Sequence, residues 1–358
     1  MIEIGSEFWA VKPDQSKGIY DYLPQCFHTK MTLCGRTALD IIIEEIAQDG
    51  KKHRVYMPSY CCHTMIEPFY IHDIEVIFYD VICGNNGIEP KYMNNNCDIV
   101  FLIDYFGFIN NSTIEFARIE KKKGKIIIYD MTHSLFCDFD KESHFDYVFG
   151  SFKKWMGVNA GFVSKKEEWV SSVELKKNEQ FVNARNKAFD LKRDYIDNSN
   201  KADKNEFLGL FAEAENMLAK DYKYYKPDSR SIELLASLDT KELIKKRFEN
   251  AKTLISRLKE VKGLRLIFGE VKNNECPLFV PISIENNRDA LRDYLIGQDI
   301  YMPIHWPVSN LHSLNDSSRG IYMTEVSCVC DQRYTIYDMK RIVATIKQFW
   351  RKEDAYSF

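Results

Sequence analysis

The chain has 358 residues, which is long enough for two domains with a sizeable core. Its 45% hydrophobic and 28% charged residues are typical of a globular protein. The net charge is -3 and the basic residues are dispersed, Lys121-Lys122-Lys123 being the one notable run. This distribution excludes the basic surface that a nucleic-acid-binding protein needs.

The N-terminal segment, the apolar stretches and the cysteines of the chain predict its cellular compartment. The chain does not open with a positively charged segment before an apolar one, and it has no apolar stretch of 18 residues. We therefore expect neither secretion nor a membrane span, and a cytoplasmic location in which the ten cysteines are free thiols. The pairs Cys61-Cys62 and Cys328-x-Cys330 lack the spacing of a zinc knuckle, so we predict no metal site.

Strands and helices alternate in the first half of the chain. The segment Thr37 to Ile46 has apolar residues at helical spacing and predicts an amphipathic helix. Short β-branched or aromatic runs predict six strands: Arg54 to Met57, Glu75 to Tyr79, Asp98 to Ile103, Lys125 to Tyr129, Tyr147 to Phe149 and Gly161 to Ser164. This alternation predicts an α/β domain with a largely parallel sheet, which binds ligands at the carboxyl ends of its strands.

The second half of the chain changes character. We assign residues 1–245 to a large domain, with a polar helical insert near 171–225, and residues 246–358 to a smaller C-terminal α+β domain. One long helix, Ser231 to Leu258, is predicted to connect the two. Beyond it the pattern predicts strands at Leu264 to Phe268 and Leu278 to Ile284, and helices at Arg288 to Ile296 and Ile336 to Trp350.

Asp130 follows the apolar run Lys125 to Tyr129, so a strand delivers its carboxylate to the end where open sheets build their sites. A carboxylate beside a pyridine nitrogen keeps that nitrogen protonated, as the cofactor pyridoxal phosphate (PLP) requires. An isolated Asp after a strand also serves as a helix cap or turn residue. His133, three residues further on, favours a site because its imidazole can bond the cofactor's phenolic oxygen, although a single His is often structural.

Lys154 is the candidate for the lysine that bonds the aldehyde of PLP, and Lys153 is its rival. Neighbouring side chains diverge, so only one of the two points into a given site. Ser151 favours Lys154, because a Ser-x-x-Lys spacing lets the hydroxyl contact the phosphate while the amine reaches the aldehyde. We expect burial beside Phe152 and Trp155 to favour the neutral, nucleophilic amine. The same spacing occurs in penicillin-binding enzymes, but their Ser-Asp-Asn and Lys-Thr-Gly partners are absent from this sequence.

A glycine turn opens the amphipathic helix. Gly35, Arg36 and Thr37 would place free backbone N–H groups and the positive end of the helix dipole at an anion, such as a phosphate. Thr37 could instead simply cap the helix. The order of the three elements supports a single PLP site: an anion-binding turn, an acid at a strand end, then Ser-x-x-Lys.

These segments together resemble a known family. Gly35-Arg36-Thr37, Asp130-Met131-Thr132-His133, and Ser151-Phe152-Lys153-Lys154-Trp155 followed by Gly161 resemble the fold-type-I PLP-dependent aminotransferases of the DegT/DnrJ/EryC1/StrS group. The likeness covers most of the chain. It implies a mixed, mostly parallel seven-stranded sheet with a smaller C-terminal domain, and a homodimer with its active sites at the subunit interface.

The resemblance also implies residue roles. Asp130 would contact the ring nitrogen, His133 the phenolic oxygen, and the turn after Gly35 the phosphate. The ring-stacking aromatic residue falls near Cys61 and Cys62, so Tyr60 or Phe106 is expected to replace it. The motif that reaches the neighbouring subunit's phosphate matches Asp228-Ser229-Arg230, in which we expect Arg230 to make the contact. On the substrate side the candidates are His305, Trp306 and Arg333.

The sequence therefore predicts a ping-pong aminotransferase in which Lys154 holds PLP and, once freed, moves the proton. By resemblance the donor is glutamate and the acceptor a nucleotide-linked keto-sugar, as in surface polysaccharide or secondary metabolite synthesis. Two alternatives stay open: another PLP reaction, such as dehydration or racemisation, and a non-catalytic regulatory protein. Sugar dehydratases of the family have His at the lysine position, so Lys154 argues against that variant.

Overall fold

The computed structural model describes residues 3–11, 18–84, 87–93, 96–198 and 204–356, and for residues 352–356 it describes the backbone alone. The first half of the chain contains β1 (Ile4–Gly5), β2 (His28–Thr32), α1 (Gly35–Ala47), β3 (Arg54–Pro58), α2 (His63–Ile71), β4 (Glu75–Gly84), β5 (Gly87–Lys91), β6 (Ile99–Ile103), α3 (Asn111–Lys122), β7 (Ile126–Asp130), β8 (Tyr147–Ser151) and β9 (Gly161–Lys165). The second half contains α4 (Glu179–Asn198), α5 (Lys204–Lys220), α6 (Ser229–Ser237), α7 (Thr240–Leu258), β10 (Arg265–Leu266), β11 (Phe279–Ser283), α8 (Arg288–Ile296), β12 (Ile300–Tyr301), α9 (Asp316–Thr324), β13 (Glu325–Val329) and α10 (Ile336–Tyr356). Short 3₁₀ helices lie at Tyr20–Tyr22 and Phe152–Lys154.

The large sheet has eight strands in the order β2-β9-β8-β7-β6-β3-β4-β5. The inner pairs β8/β7, β7/β6, β6/β3 and β3/β4 are parallel, and the pairs at both edges are antiparallel. The α/β class is confirmed, but the expected count of seven strands is one too few. The extra strand arises because β4 continues to Gly84 and the chain returns as β5, which pairs Asp80 with Lys91 and Gly84 with Gly87.

The sheet is buried on both faces, which explains its nearly continuous apolar strands. Side chains of successive residues point to opposite faces, so Phe101 and Ile128 pack towards α1 and α2 while Leu102 and Ile127 pack towards α3 and α6. The sheet is therefore a rigid layer that holds the carboxyl ends of its strands in place.

The C-terminal part has a small antiparallel sheet, β10-β11-β13, against which α7 and α10 pack. The prediction of one helix from Ser231 to Leu258 is wrong. The chain breaks between α6 and α7 because Leu238 is extended and the carboxylate of Asp239 accepts from Glu242 N at 2.9 Å, which starts a new helix.

The predicted insert is a pair of helices, α4 and α5, that pack along each other. The domain boundary at residue 245 stays a prediction: the eight-stranded sheet and the sheet β10-β11-β13 lie on either side of it, but β1 pairs with β12 across it. In the ranges given above, no helix combines the length and the apolar character needed to cross a bilayer.

Candidate active site

A cavity of about 200 Å³ lies at the carboxyl ends of β7 and β8, beside the N-terminus of α1. Asp130 is the last residue of β7 and Ser151 the last of β8. The strands are parallel neighbours, so their ends meet at one edge of the sheet. The cavity brings together these residues from the sequence prediction: Gly35, Arg36, Asp130, His133, Ser151, Lys154 and Trp306.

One end of this cavity suits an anion. Ser151 is 8% exposed, and its buried hydroxyl oxygen has no hydrogen-bond partner among the residues that the structure describes. It adjoins the start of α1, where a Cβ on Gly35 would lie 3.3 Å from the Ser151 Cβ. The first bond of this turn is donated by Ala38 N to Cys34 O at 3.1 Å, so the preceding N–H groups have no acceptor within the helix. An unsatisfied hydroxyl beside a helix N-terminus fits a phosphate.

Gly161 allows this close approach. A Cβ at that position would lie 2.7 Å from the carbonyl oxygen of Gly150 and 2.7 Å from the carbonyl carbon of Cys34. Any larger residue would therefore separate β8 and β9 from the turn that starts α1. Gly161, which contributed to the family resemblance, is thus needed in this fold for a steric reason.

The other predicted phosphate-site residues have their side chains engaged elsewhere. The Thr37 hydroxyl donates to the Tyr222 carbonyl at 2.5 Å and does not line the cavity. The Arg36 guanidinium lines the cavity, donates to the Leu218 carbonyl at 3.4 Å and lies 5.1 Å from the centre of the Tyr222 ring. A phosphate would therefore meet the backbone N–H of Thr37 rather than its hydroxyl.

Asp130 lies at the other side of the cavity and is 1% exposed. Its Oδ1 accepts from Thr132 N at 2.8 Å. Burial raises the pKa of Asp130 to about 6, although hydrogen bonds from Thr132 lower it. Among the described residues no cationic side chain is bonded to this carboxylate, so it suits a protonated ring nitrogen.

His133 is held as a neutral ring. Its Nδ1 accepts from Phe106 N at 3.1 Å, which assigns the proton to Nε2. Burial, together with the charges of His305 and Lys154, moves the pKa of His133 well below its usual value. The ring stacks on Trp306 at 5.6 Å between centres. His133 can therefore donate from Nε2 to an oxygen in the cavity.

The two adjacent lysines differ in their partners. Lys153 Nζ lies 2.7 Å from a carboxylate oxygen of Glu215. Lys154 has no hydrogen-bond or ion-pair partner in the described parts of the chain, and its charge lowers the pKa values of His133 and Cys62. Lys154 is exposed to the cavity rather than buried, contrary to expectation. Its aromatic neighbours Phe152 and Trp155 pack into the core instead.

A second cavity, of about 570 Å³, shares Lys153, Lys154 and Glu215 with the first. His305 and Arg333, the predicted substrate-side residues, line it, but both already have protein partners. Arg333 donates hydrogen bonds from Nε and Nη2 to the Asp331 carboxylate, at 2.9 and 2.8 Å. His305 Nδ1 lies 3.1 Å from the hydroxyl oxygen of Ser327. The two cavities together have the size of a small-molecule site.

Two predicted residues lie away from the cavity of about 200 Å³. Tyr60 is fully buried in the core, where its hydroxyl donates to the His305 carbonyl at 2.5 Å, and it does not line the cavity. Arg230 forms an exposed ion pair with Asp190 at 2.6 Å, and Asp228 caps α6. Within this chain neither Tyr60 nor Arg230 reaches the space that a cofactor would fill.

Sequence reasoning missed several residues that line this cavity. Cys62, Thr64 and Met65 form the wall where an aromatic residue was expected, a departure already visible at Cys61-Cys62. Glu215 enters from α5, inside the insert, where no motif marks it. Its distance of 62 residues from Lys153 could not be bridged without the fold.

The comparison of this chain with protein-family models and with curated protein sequences gives no match. Solved structures do match. PseC from Helicobacter pylori, an aminotransferase involved in the biosynthesis of pseudoaminic acid, has a TM-score of 0.67 at 11% identity, with 98% of this chain and 100% of that chain covered. DesI, solved in the presence of its TDP-sugar product, has a TM-score of 0.62 at 13% identity, with 92% and 83% covered.

A third match, Spr1654 from Streptococcus pneumoniae in its PLP form, has a TM-score of 0.63 at 13% identity, with 90% of this chain and 87% of that chain covered. Each of the three matches covers at least 90% of this chain. The resemblance inferred from the sequence is thereby confirmed at the level of the fold: this chain has the fold of the sugar aminotransferases of fold type I.

Proposed function

We propose that this chain is a PLP-dependent aminotransferase that acts on a nucleotide-linked keto-sugar, with glutamate as amino donor. The observation that carries the proposal is the cavity of about 200 Å³, called the cofactor cavity from here on. It lies between Asp130 and the unpartnered hydroxyl of Ser151, and Lys154 forms part of its wall. The acid, the anion site and the lysine that line this cavity correspond to the three groups that PLP requires: a partner for its ring nitrogen, a partner for its phosphate and an amine for its aldehyde.

PLP, when bound, supplies an aldehyde that bonds an amine and a protonated ring that withdraws electrons. The start of α1 and Ser151 would hold its phosphate, and Asp130 would keep the ring nitrogen protonated. His133 would donate from Nε2 to the phenolic oxygen. Lys154 Nζ would bond the aldehyde at rest and, after the donor displaces it, take the proton from the donor's alpha carbon.

The substrate class is supported by the second cavity and by similarity of fold. That cavity opens on Lys154, so an acceptor bound there would present its carbonyl to the same amine. Four arginines and two lysines face three carboxylates in its lining: Arg185, Arg247, Arg292, Arg333, Lys153 and Lys154 against Glu7, Glu215 and Asp331. This excess of positive charge suits an anionic acceptor such as a sugar nucleotide.

A homodimer also belongs to this proposal. By the family resemblance, Arg230 would reach the phosphate of the neighbouring subunit. In the single chain its guanidinium instead pairs with Asp190 at the surface, where 42% of the Arg230 side chain is exposed. An exposed pair of this kind contributes little and can be exchanged for a phosphate contact.

Absorbance spectra and trapping test the proposal. Wild-type protein with PLP is expected to show the visible band of a lysine-bound cofactor, and glutamate is expected to convert it to the amine form. Lys154→Ala should abolish the band, whereas Lys153→Ala, its matched neighbour, should retain it. A band that persists in Lys154→Ala, or wild-type protein that shows none, would refute the assignment. Screening nucleotide-linked keto-sugars for amination then tests the acceptor.

The unusual wall of the cofactor cavity favours a second candidate, a non-catalytic protein that retains the fold. Cys62, Thr64 and Met65 offer no aromatic ring to stack on a cofactor. This candidate, like a PLP racemase or dehydratase, predicts a lysine-bound band that glutamate does not convert. The glutamate step therefore separates the proposed aminotransferase from the alternatives.

A further inference from the structure

Glu215 is an acidic group at the junction of the two cavities. It lies on α5 and is the carboxylate that lines both of them. Its Oε1 accepts from Lys153 Nζ at 2.7 Å and from Arg185 Nη1 at 2.9 Å. Burial raises the pKa of Glu215, but the charges of Lys153 and Arg185 outweigh it and hold the value at about 2. The group is thus a permanent anion between two cations.

Arg185, on α4, fixes the position of this anion. Its side chain is 3% exposed, and its Nε donates to Asn159 Oδ1 at 3.0 Å. The guanidinium also lies 5.0 and 5.3 Å from the ring centres of Phe189 and Phe211. A guanidinium held from several sides cannot follow Glu215 if that carboxylate moves, so the α4–α5 pair presents Glu215 at a fixed place.

The fixed carboxylate gives the two adjacent lysines different partners. Lys153 and Lys154 are adjacent in one 3₁₀ turn, and both line both cavities, so the expectation that only one of them would point into a given site is wrong. The ammonium of Lys153 is held by Glu215, whereas Lys154 makes no ion pair with any described residue. To reach an aldehyde in the cofactor cavity, Lys153 would have to break its ion pair with Glu215.

From this geometry we propose that Glu215 is a positioning residue that withholds Lys153 from the cofactor and so leaves Lys154 as the lysine that bonds it. The inference rests on the proposed function. In the bonding step a neutral amine nitrogen adds to the aldehyde carbon, the C=N bond forms and the aldehyde oxygen leaves as water. The ion pair with Glu215 must break before the Lys153 nitrogen can add to the aldehyde, whereas Lys154 makes no such pair with any described residue, so Glu215 disfavours Lys153 in this step.

Reductive trapping reads out this selection directly, without an activity assay. Borohydride supplies hydride to the C=N bond and fixes PLP on whichever lysine holds it, and peptide mass spectrometry then locates the label. Wild-type protein should be labelled at Lys154. Lys154→Ala should stay almost unlabelled at Lys153, because Glu215 still holds that amine.

The informative comparison adds Glu215→Gln to Lys154→Ala. At a PLP concentration below saturation, we expect labelling of Lys153 in the double variant to be at least about fivefold higher than in Lys154→Ala. This is the change in equilibrium expected when one partly exposed ion pair is lost. Glu213→Gln in the same background is the matched control, because Glu213 is exposed on the same helix and lines neither cavity. It should leave the label unchanged.

The outcomes separate this inference from the proposed function. No label on wild-type protein would overturn both. Label at Lys154 in wild type, with Lys153 labelled equally in Lys154→Ala and in the double variant, would overturn the role of Glu215 alone. Circular dichroism shows whether the double variant folds. If it does not, the ratio of Lys153 to Lys154 label in single Glu215→Gln decides: a rise above wild type supports the inference, and an unchanged ratio refutes it.

Discussion

Replacing Ser151 by alanine should have opposite effects on the empty protein and on cofactor binding. The Ser151 hydroxyl is buried and has no hydrogen-bond partner in the described structure. Leaving a buried polar group unsatisfied costs about 1–3 kcal/mol. Removing it leaves only a small void, so the free energy of unfolding without PLP should stay the same or rise by about 1 kcal/mol.

With PLP bound, the sign reverses. A hydrogen bond to a charged group such as a phosphate contributes about 1.5–3 kcal/mol. Its loss in Ser151→Ala should weaken PLP binding about 10- to 150-fold, since 1.4 kcal/mol corresponds to a factor of ten. The contrast between the two measurements follows from the hydroxyl being unpaired in the chain and paired only with a ligand.

Urea unfolding without PLP and absorbance titration with PLP provide the two measurements. Ser231→Ala is the matched control, because that buried hydroxyl donates to Asp228 Oδ2 at 2.7 Å and accepts from Asn159 N at 2.8 Å. Its loss should cost about 1–3 kcal/mol of stability and leave PLP affinity unchanged. A Ser151→Ala protein that loses more than 1 kcal/mol of stability without PLP, or that binds PLP as wild type does, would refute the reasoning.

Two further predictions follow from pKa values in the cofactor cavity. Burial raises the pKa of Asp130 to about 6 in spite of the bonds from Thr132, so the folded chain holds this proton more tightly than the unfolded chain, and wild-type stability falls as the pH rises from about 4 to about 6. Asp130→Asn avoids that loss. In urea unfolding without PLP, its free energy of unfolding relative to wild type should increase by up to about 3 kcal/mol between pH 4 and pH 7.5. A stability difference between variant and wild type that does not depend on pH would contradict the assignment. Burial raises the pKa of Cys62, but hydrogen bonds from His63 and Thr64 outweigh it and lower the value to about 7, so the rate of iodoacetamide labelling at this thiol should rise with a midpoint near pH 7. PLP should protect Cys62 because it lines the cavity, and equal labelling rates with and without PLP would show that the cofactor binds elsewhere.

Local sequence patterns predicted the sheet because its strands are buried on both faces. The run before Asp130 is nearly all aliphatic, and β7 ends at that residue as expected. The helix over Arg288 to Ile296 was predicted to the residue, since its apolar positions follow one face. The long helix after Ser231 was wrong because a continuous apolar periodicity hid the cap at Asp239.

The sequence by itself determined the α/β fold and the meeting of Asp130 with Ser151, because apolar runs specify parallel strands whose ends must share one edge of the sheet. Only the tertiary structure decided which side chains face the space between them. Tyr60 is only two residues from Cys62, which lines the cavity, yet its side chain is buried in the core and donates a hydrogen bond to the His305 carbonyl. The two lysines after Phe152 differ because Glu215, distant in sequence, forms an ion pair with Lys153 and not with Lys154. Such assignments depend on contacts between remote segments, and hydrophobic periodicity, which reports only a residue's nearest neighbours along the chain, contains no record of them.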